Sequence, residues 1–125
     1  MRNTLALCIK TFTLCIVLAS PALADLPQIV SASAQQQSDG WRFDVTLRHP
    51  DSGWDHYADG WEILLPDGSS AGLRVLAHPH EAEQPFTRSL GGVTLPEGTQ
   101  FVRIRARCIR DGWTDDSVVV ELARP

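Results

Sequence analysis

Two histidines two positions apart, His78 and His80, are the residues whose types and spacing first indicate chemistry. On an extended segment, side chains two positions apart point to the same side, so both imidazoles can reach one ion. His56, Asp55, Glu81 or Glu83 can complete a nitrogen and oxygen ligand set for zinc or copper(II). The sequence therefore predicts a metal site at His56, His78 and His80. The alternative is that His78 and His80 are solvated loop residues.

Aromatic residues in the same part of the chain form a second pattern. Trp54, Tyr57 and Trp113 fall outside the alternation of the predicted strands, and Asp55 lies between the first two. Tryptophan and tyrosine are over-represented at binding hot spots, so these four residues are predicted to bind a protein partner or a small ligand. In the alternative interpretation, Trp54 and Trp113 fold over the end of the domain and only bury apolar area.

No pattern of catalytic residues is present in the sequence. Serine, histidine and aspartate all occur, but no nucleophile elbow or comparable motif surrounds a serine. Cys108 occupies an inward position of a predicted strand, where a thiol is usually inert packing. The chain is therefore predicted not to be an enzyme.

Arg103, Arg105 and Arg107 alternate along one predicted strand and form a basic row on its outer side. In an acidic protein, such a row is expected to pair with acidic residues of neighbouring strands: Glu62, Asp44 or Glu121. The alternative is that the row binds an acidic partner.

Residues 1–24 have the features of a signal peptide. Arg2 and Lys10 carry positive charge, Thr11–Leu18 is a short apolar run, and Ala22–Ala24 is an A-x-A cleavage site. The apolar run is shorter than the roughly 20 residues that a membrane-spanning helix needs. No cysteine stands at a plausible lipid-attachment point. We therefore expect cleavage before Asp25 and an exported protein, periplasmic or secreted, without a membrane anchor.

Removal of residues 1–24 leaves nine basic residues, all arginine, and fifteen acidic residues, a formal net charge of −6. Nucleic acids and anionic membranes attract basic surfaces, so neither is expected as a partner. Cys8 and Cys15 leave with the signal peptide, and Cys108 alone cannot form an internal disulfide. The domain is therefore expected to be stabilised by its core.

Residues 25–125 are predicted to form a single all-β domain. Apolar and polar residues alternate with period two and are interrupted by Gly, Pro and Asp turns. The predicted strands are residues 28–35, 41–49, 61–65, 72–78, 86–90, 102–108 and 117–122. Seven short strands in about 100 residues are typical of an antiparallel β-sandwich of the immunoglobulin-like or fibronectin-III-like type.

The stretch LGGVTLPEGTQFVRIRA, residues 90–106, resembles the E–F region of fibronectin type III domains, where a Leu-x-Pro-Gly-Thr turn leads into an alternating strand. The segments HPDSGWDHYADGWE and HPHEAEQPFTRSL are similar to those of a family of small exported bacterial proteins of uncharacterised role. The first resemblance implies a sandwich. The second implies export and brings no known activity.

Strands that run alternately up and down place loops 51–60, 78–85 and 109–116 at one end of the predicted sandwich. The compact turns at 66–70 and 95–99 then lie at the other end. Binding sites on such scaffolds favour loops that share one end. The sequence therefore predicts an exported, non-enzymatic binding module that uses these loops; the alternative is a periplasmic zinc or copper(II) binding protein that uses the loop histidines.

Overall fold

Two antiparallel sheets packed face to face make up the computed structural model, which describes Ile16 and residues 25–124. Apart from Ile16, the predicted signal peptide lies outside the described residues. The strands are β1 (Gln28–Gln37), β2 (Gly40–Arg48), β3 (Ala58–Leu64), β4 (Ser70–Val75), β5 (Phe86–Val93), β6 (Phe101–Cys108), β7 (Gly112–Trp113) and β8 (Val118–Glu121). This confirms the predicted all-β sandwich and its seven principal strands.

One sheet has the strand order β1-β2-β5, and the other has β4-β3-β6-β7, with β8 also paired to β6. Every strand pair is antiparallel. Among the described residues there is no helix with the length and apolar character needed to cross a bilayer.

The core lies between the sheets and follows the alternation of the two clearest strands. In β2, Trp41, Phe43, Val45 and Leu47 are buried. In β6, Val102, Ile104, Ala106 and Cys108 are each fully buried, and the arginines between them face outward. Trp61, Ile63 and Phe86 fill the space between these two strands. Full burial of a large apolar side chain contributes about 1.5–3 kcal/mol, so this alternation is a main source of stability.

Strand bounds near the loops differ from the prediction. β3 begins at Ala58 instead of Trp61, because Ala58 pairs with Cys108 and extends the ladder with β6. β4 ends at Val75, and the Leu76 amide then donates to the Asp59 carbonyl oxygen at 2.9 Å. The two-residue strand β7 was not predicted.

The apolar residues of β4 share a face, as their spacing indicates, but that face is the outer one. Leu73 and Val75 are exposed. Arg74, between them, donates from Nε to the Ser89 carbonyl oxygen of β5 at 2.8 Å and so links the two sheets.

Two of the three arginines in the basic row of β6 pair with acidic neighbours, and Glu62 is one of the predicted partners. Arg105 contacts Glu62 at 2.6 Å, and Arg107 contacts Asp59 at 2.9 Å. Both carboxylates belong to β3, the strand adjacent to β6.

Candidate functional site

Three loops meet at one end of the sandwich. The His80 amide donates to the Asp51 carboxylate at 2.7 Å, which joins the β4–β5 loop to the β2–β3 loop. The Ile109 amide donates to the Tyr57 carbonyl oxygen at 3.0 Å, which joins the loop after β6 to the same region. The loops that strand connectivity placed at one end are therefore in direct contact there.

Asp51 links the segments at this end through hydrogen bonds of its side chain. Its carboxylate is completely buried and accepts three hydrogen bonds, each from a different segment. Oδ1 accepts from the Ala58 amide at 2.9 Å and from His49 Nδ1 at 2.6 Å, and Oδ2 accepts from the His80 amide. A buried carboxylate is tolerated only when hydrogen bonds of this kind replace its hydration.

His49 is the buried side-chain partner of Asp51. Its Nδ1 lies 2.6 Å from the Asp51 carboxylate, and its Nε2 lies 2.7 Å from the Asp25 carbonyl oxygen. These two contacts fix the orientation of the imidazole ring. The two side chains thus form a fully buried pair at the end of β2.

A groove of about 470 Å³ separates the β2–β3 loop from the β4–β5 loop. It is lined by Gly53, Trp54 and the segment from His78 to Glu83. The Trp54 side chain is 68% exposed, and its ring packs edge-on against Tyr57 with centroids 5.9 Å apart. A cleft of about 500 Å³ lies between residues 26–29 and 114–118, but none of the predicted site residues line it.

His80 forms the buried wall of this groove. Its ring stacks on Phe86 with centroids 3.9 Å apart and an interplanar angle of 8°. Neither ring nitrogen has a hydrogen-bond partner among the described residues, although both are buried. Burial is the main cause that lowers the pKa of His80, and the nearby Arg88 and His78 lower it further. The imidazole is therefore neutral at pH 7, with one donor and one acceptor unused.

Two carboxylates stand at the rim of the groove. Asp55 Oδ1 and Glu81 Oε1 lie 3.4 Å and 3.8 Å from the point where a side chain on Gly53 would begin. Neither carboxylate takes part in the ion pairs formed among the described residues. By contrast, Glu83 contacts Arg88 at 3.2 Å, and this contact lowers the pKa of Glu83.

The residues predicted to hold a metal divide into two places. His78 and His80 lie side by side with ring centroids 4.5 Å apart, and the exposed His78 contacts the Pro79 carbonyl oxygen. His56 instead packs against His49, with centroids 4.8 Å apart. Among the described residues, the group of neighbouring ligand atoms that contains His56 includes neither His78 nor His80.

A different group of ligand-type side chains does come together. His49, His56 and Cys108 are buried, and their ligand atoms lie within 4.8 Å of one another. The sequence carried a signal for this group. His49 continues the inward alternation of β2, and Cys108 is the last inward residue of β6. Both strands end at the same end of the sandwich, so these side chains meet above the core.

Trp113 contacts arginines of the neighbouring strand. It lies in β7 opposite Arg107, and the Arg105 and Arg107 guanidinium groups sit 4.4 Å and 4.9 Å from its ring centroid. That it binds a partner together with Trp54, Asp55 and Tyr57 stays a prediction. Pairing with β6 places its ring on the outer sheet face, where the arginine row holds it by cation–π contacts.

A curated protein of Halomicrobium mukohataei, named "Putative lipoprotein", is similar to this chain. The two are 38% identical over 100 residues, which cover 78% of this chain and 49% of the relative. The chain thus spans about half the length of the curated relative that it matches. No family model matches the chain. No solved structure matches it either.

Proposed function

We propose that this chain is an exported, non-enzymatic binding module whose groove takes a cationic group of a protein partner. The groove with its exposed Trp54 and unsatisfied His80 nitrogens carries the proposal. The scaffold is proposed to be an immunoglobulin-like or fibronectin-III-like sandwich. The signal-peptide features of residues 1–24 and the relative's name support export.

The charges at the groove favour a cation over an anion. Asp55 and Glu81 converge beside Gly53 without an arginine to neutralise them. Residues 25–125 carry a formal net charge of −6, which attracts cations over longer distances. The face of an exposed tryptophan also attracts a guanidinium or ammonium group. These three features act together on an arginine or lysine side chain of a partner.

His80 supplies a directional contact in the same groove. A neutral imidazole can donate one hydrogen bond and accept another. Buried polar atoms without a partner are costly, and a bound donor or acceptor would remove that cost. Both nitrogens are buried in the unbound chain, so the backbone groups of a bound peptide reach them only if the groove wall shifts on binding.

A peptide titration followed by NMR tests the proposal. The probe is an acetylated Gly-Arg-Gly-Arg-Gly amide, and the matched control replaces arginine with the neutral isostere citrulline. The chain has four tryptophan indole N–H signals, and the Trp54 signal is expected to move with arginine peptide but not with citrulline peptide. Movement of the Trp113 signal instead of the Trp54 signal would contradict the proposal.

Charge-neutralising variants locate the cation. The double variant Asp55→Asn/Glu81→Gln is expected to weaken arginine-peptide binding about tenfold, which corresponds to about 1.4 kcal/mol. Glu97→Gln/Glu121→Gln is the matched control, because it also removes two exposed acids, both outside the groove. Equal loss in both variants would mean that net charge, and not the groove, attracts the peptide.

A further inference from the structure

We propose that His49, His56, Cys108 and Asp111 form a zinc site beneath the three loops, separate from the groove. The first three residues form the buried group whose ligand atoms lie within 4.8 Å of one another. Two imidazoles, a thiolate and a carboxylate are all ligands that zinc accepts, and zinc sites are mostly four-coordinate. The site uses none of the residues that line the groove, so the two proposals stand independently.

We assign the fourth ligand to Asp111, whose carboxylate lies outside the group of ligand atoms within 4.8 Å but approaches two of its members. Its Oδ2 atom lies 3.7 Å from Cys108 Sγ and 3.8 Å from His56 Nε2. Ligand atoms around a tetrahedral zinc ion are separated by about 3.3–3.5 Å, given the usual zinc–ligand distances. The observed separations exceed those values by only a few tenths of an ångström. Small side-chain rotations would therefore bring Asp111, Cys108 and His56 to coordination distance.

His56 already presents a nitrogen lone pair toward a positive charge. Arg110 Nη2 lies 3.2 Å from His56 Nε2, and a guanidinium can only donate. His56 Nε2 is therefore unprotonated and acts as the acceptor. The Arg110 side chain is 57% exposed, and its Nε lies 3.9 Å from Asp111 Oδ1, so a zinc ion would replace its guanidinium at both groups.

His49 has the partner that metal-binding histidines use. Such histidines usually donate their second ring N–H to a carboxylate or carbonyl group, which fixes the orientation of the ring. Asp51 accepts from His49 Nδ1 at 2.6 Å in this way. The remaining nitrogen, Nε2, now contacts the Asp25 carbonyl oxygen. Coordination of zinc would replace that hydrogen bond.

Zinc titration of the metal-free protein by calorimetry tests the site. We expect one zinc ion per chain, with affinity lowered at least tenfold in Cys108→Ala and in Asp111→Asn. His78→Ala is the matched control, because His78 is a histidine of the same end that lies outside the group, and it is expected to keep full affinity. Asp111 is partly exposed, so its variant keeps the test decisive if Cys108→Ala fails to fold.

Two further readouts do not depend on affinity alone. Cobalt(II) in the site should give a thiolate-to-metal absorption band that is absent in Cys108→Ala, and zinc should protect Cys108 from a thiol reagent. Arg110→Ala should bind zinc more tightly than the unmodified chain, because no guanidinium competes for His56.

Absence of one-to-one binding would overturn the proposal. So would zinc affinity that depends on His78 but not on Cys108 or Asp111, or selective copper(II) binding that excludes zinc.

Discussion

Asp51 shows at the scale of a single residue how the loops of this end are held. Its buried carboxylate accepts from His49, Ala58 and His80, so one side chain joins the end of β2, the start of β3 and the β4–β5 loop. Aspartate is short enough to remain inside while its two oxygens reach all three donors. The sequence places Asp51 in a loop with other aspartates and gives no sign that it differs from them.

Replacement of Asp51 with asparagine is expected to lower the free energy of unfolding by about 3–5 kcal/mol. The change removes the buried carboxylate that His49 contacts and turns one acceptor oxygen into an amide donor that faces a backbone amide. Urea unfolding measures the effect, and Asp115→Asn, an exposed carboxylate, serves as the control. Similar stability of the two variants would show that the buried pair contributes little.

His80 is expected to make stability depend on pH. Burial and the nearby Arg88 lower the folded-state pKa of His80 below its ordinary value of 6.5. As pH falls through 6.5, the unfolded chain takes up a proton at this position before the folded chain does. Stability should therefore be fully present above 6.5 and decrease as pH falls from there toward the folded-state pKa.

Chemical unfolding at several pH values in that window checks this dependence. His80→Gln should strongly reduce the decrease in stability between pH 7.5 and the folded-state pKa, whereas His78→Gln should reduce it only slightly, because burial lowers the His80 pKa more than His78 does. An unaltered pH profile in His80→Gln would mean that another group is responsible.

Residue-level prediction succeeded where backbone alternation decides the direction of a side chain and failed where a loop decides it. The inward positions of β2 and β6 were all predicted correctly. The partners of His56 could not be predicted, because they depend on how the β2–β3 loop folds under Asp51. Alternation also directs His49 and Cys108 inward. It does not show that these two side chains contact polar neighbours at the end of the core.

At the scale of elements, the short strand β7 decides the contacts of Trp113. Gly112, with a φ of +82°, allows the chain to turn back immediately after β6. Two residues of pairing are enough to place the Trp113 ring beside Arg105 and Arg107. A sequence pattern of period two cannot reveal a strand of two residues, so this segment was predicted to be an open loop.

Trp113→Ala is expected to lower the free energy of unfolding by about 1–2 kcal/mol, since two cation–π contacts and part of the ring's burial are lost. Arginine-peptide affinity should not change. Trp54→Ala is the matched variant, and it should weaken peptide binding while stability changes little, because its side chain is exposed. Urea unfolding and the NMR titration together distinguish the two tryptophans. Weaker peptide binding in Trp113→Ala and unchanged binding in Trp54→Ala would assign the binding role to Trp113.

At the scale of the whole molecule, the sandwich could be predicted because burial between two sheets imposes alternation on every central strand. The end groove could be located only approximately. Connectivity indicates which loops share an end, but the distances between them depend on buried hydrogen bonds such as those of Asp51. The outward-facing β4 shows the same limit, since Arg74 reaches across to β5 while its apolar neighbours stay exposed.

Processing is also a property of the whole chain. We expect the protein isolated from its producing cell to begin at Asp25, with residues 1–24 removed. The Asp25 carbonyl oxygen accepts a hydrogen bond from His49, so the expected first residue is attached to the buried pair. Intact-mass measurement checks this expectation. A mass that includes the apolar segment would contradict export by cleavage at Ala24.

The hydrogen bonds of Asp51 have an evolutionary consequence. They hold the loops by one inward carboxylate, mostly through backbone amides, so the outward side chains of Trp54, Asp55 and Glu81 are not needed for that task. Mutations at these outward positions can then change what the end recognises at little cost in folding. The fold can therefore serve as a scaffold for different binding surfaces. A library randomised at these three positions, with Asp51 retained, should yield folded variants with new binding specificities.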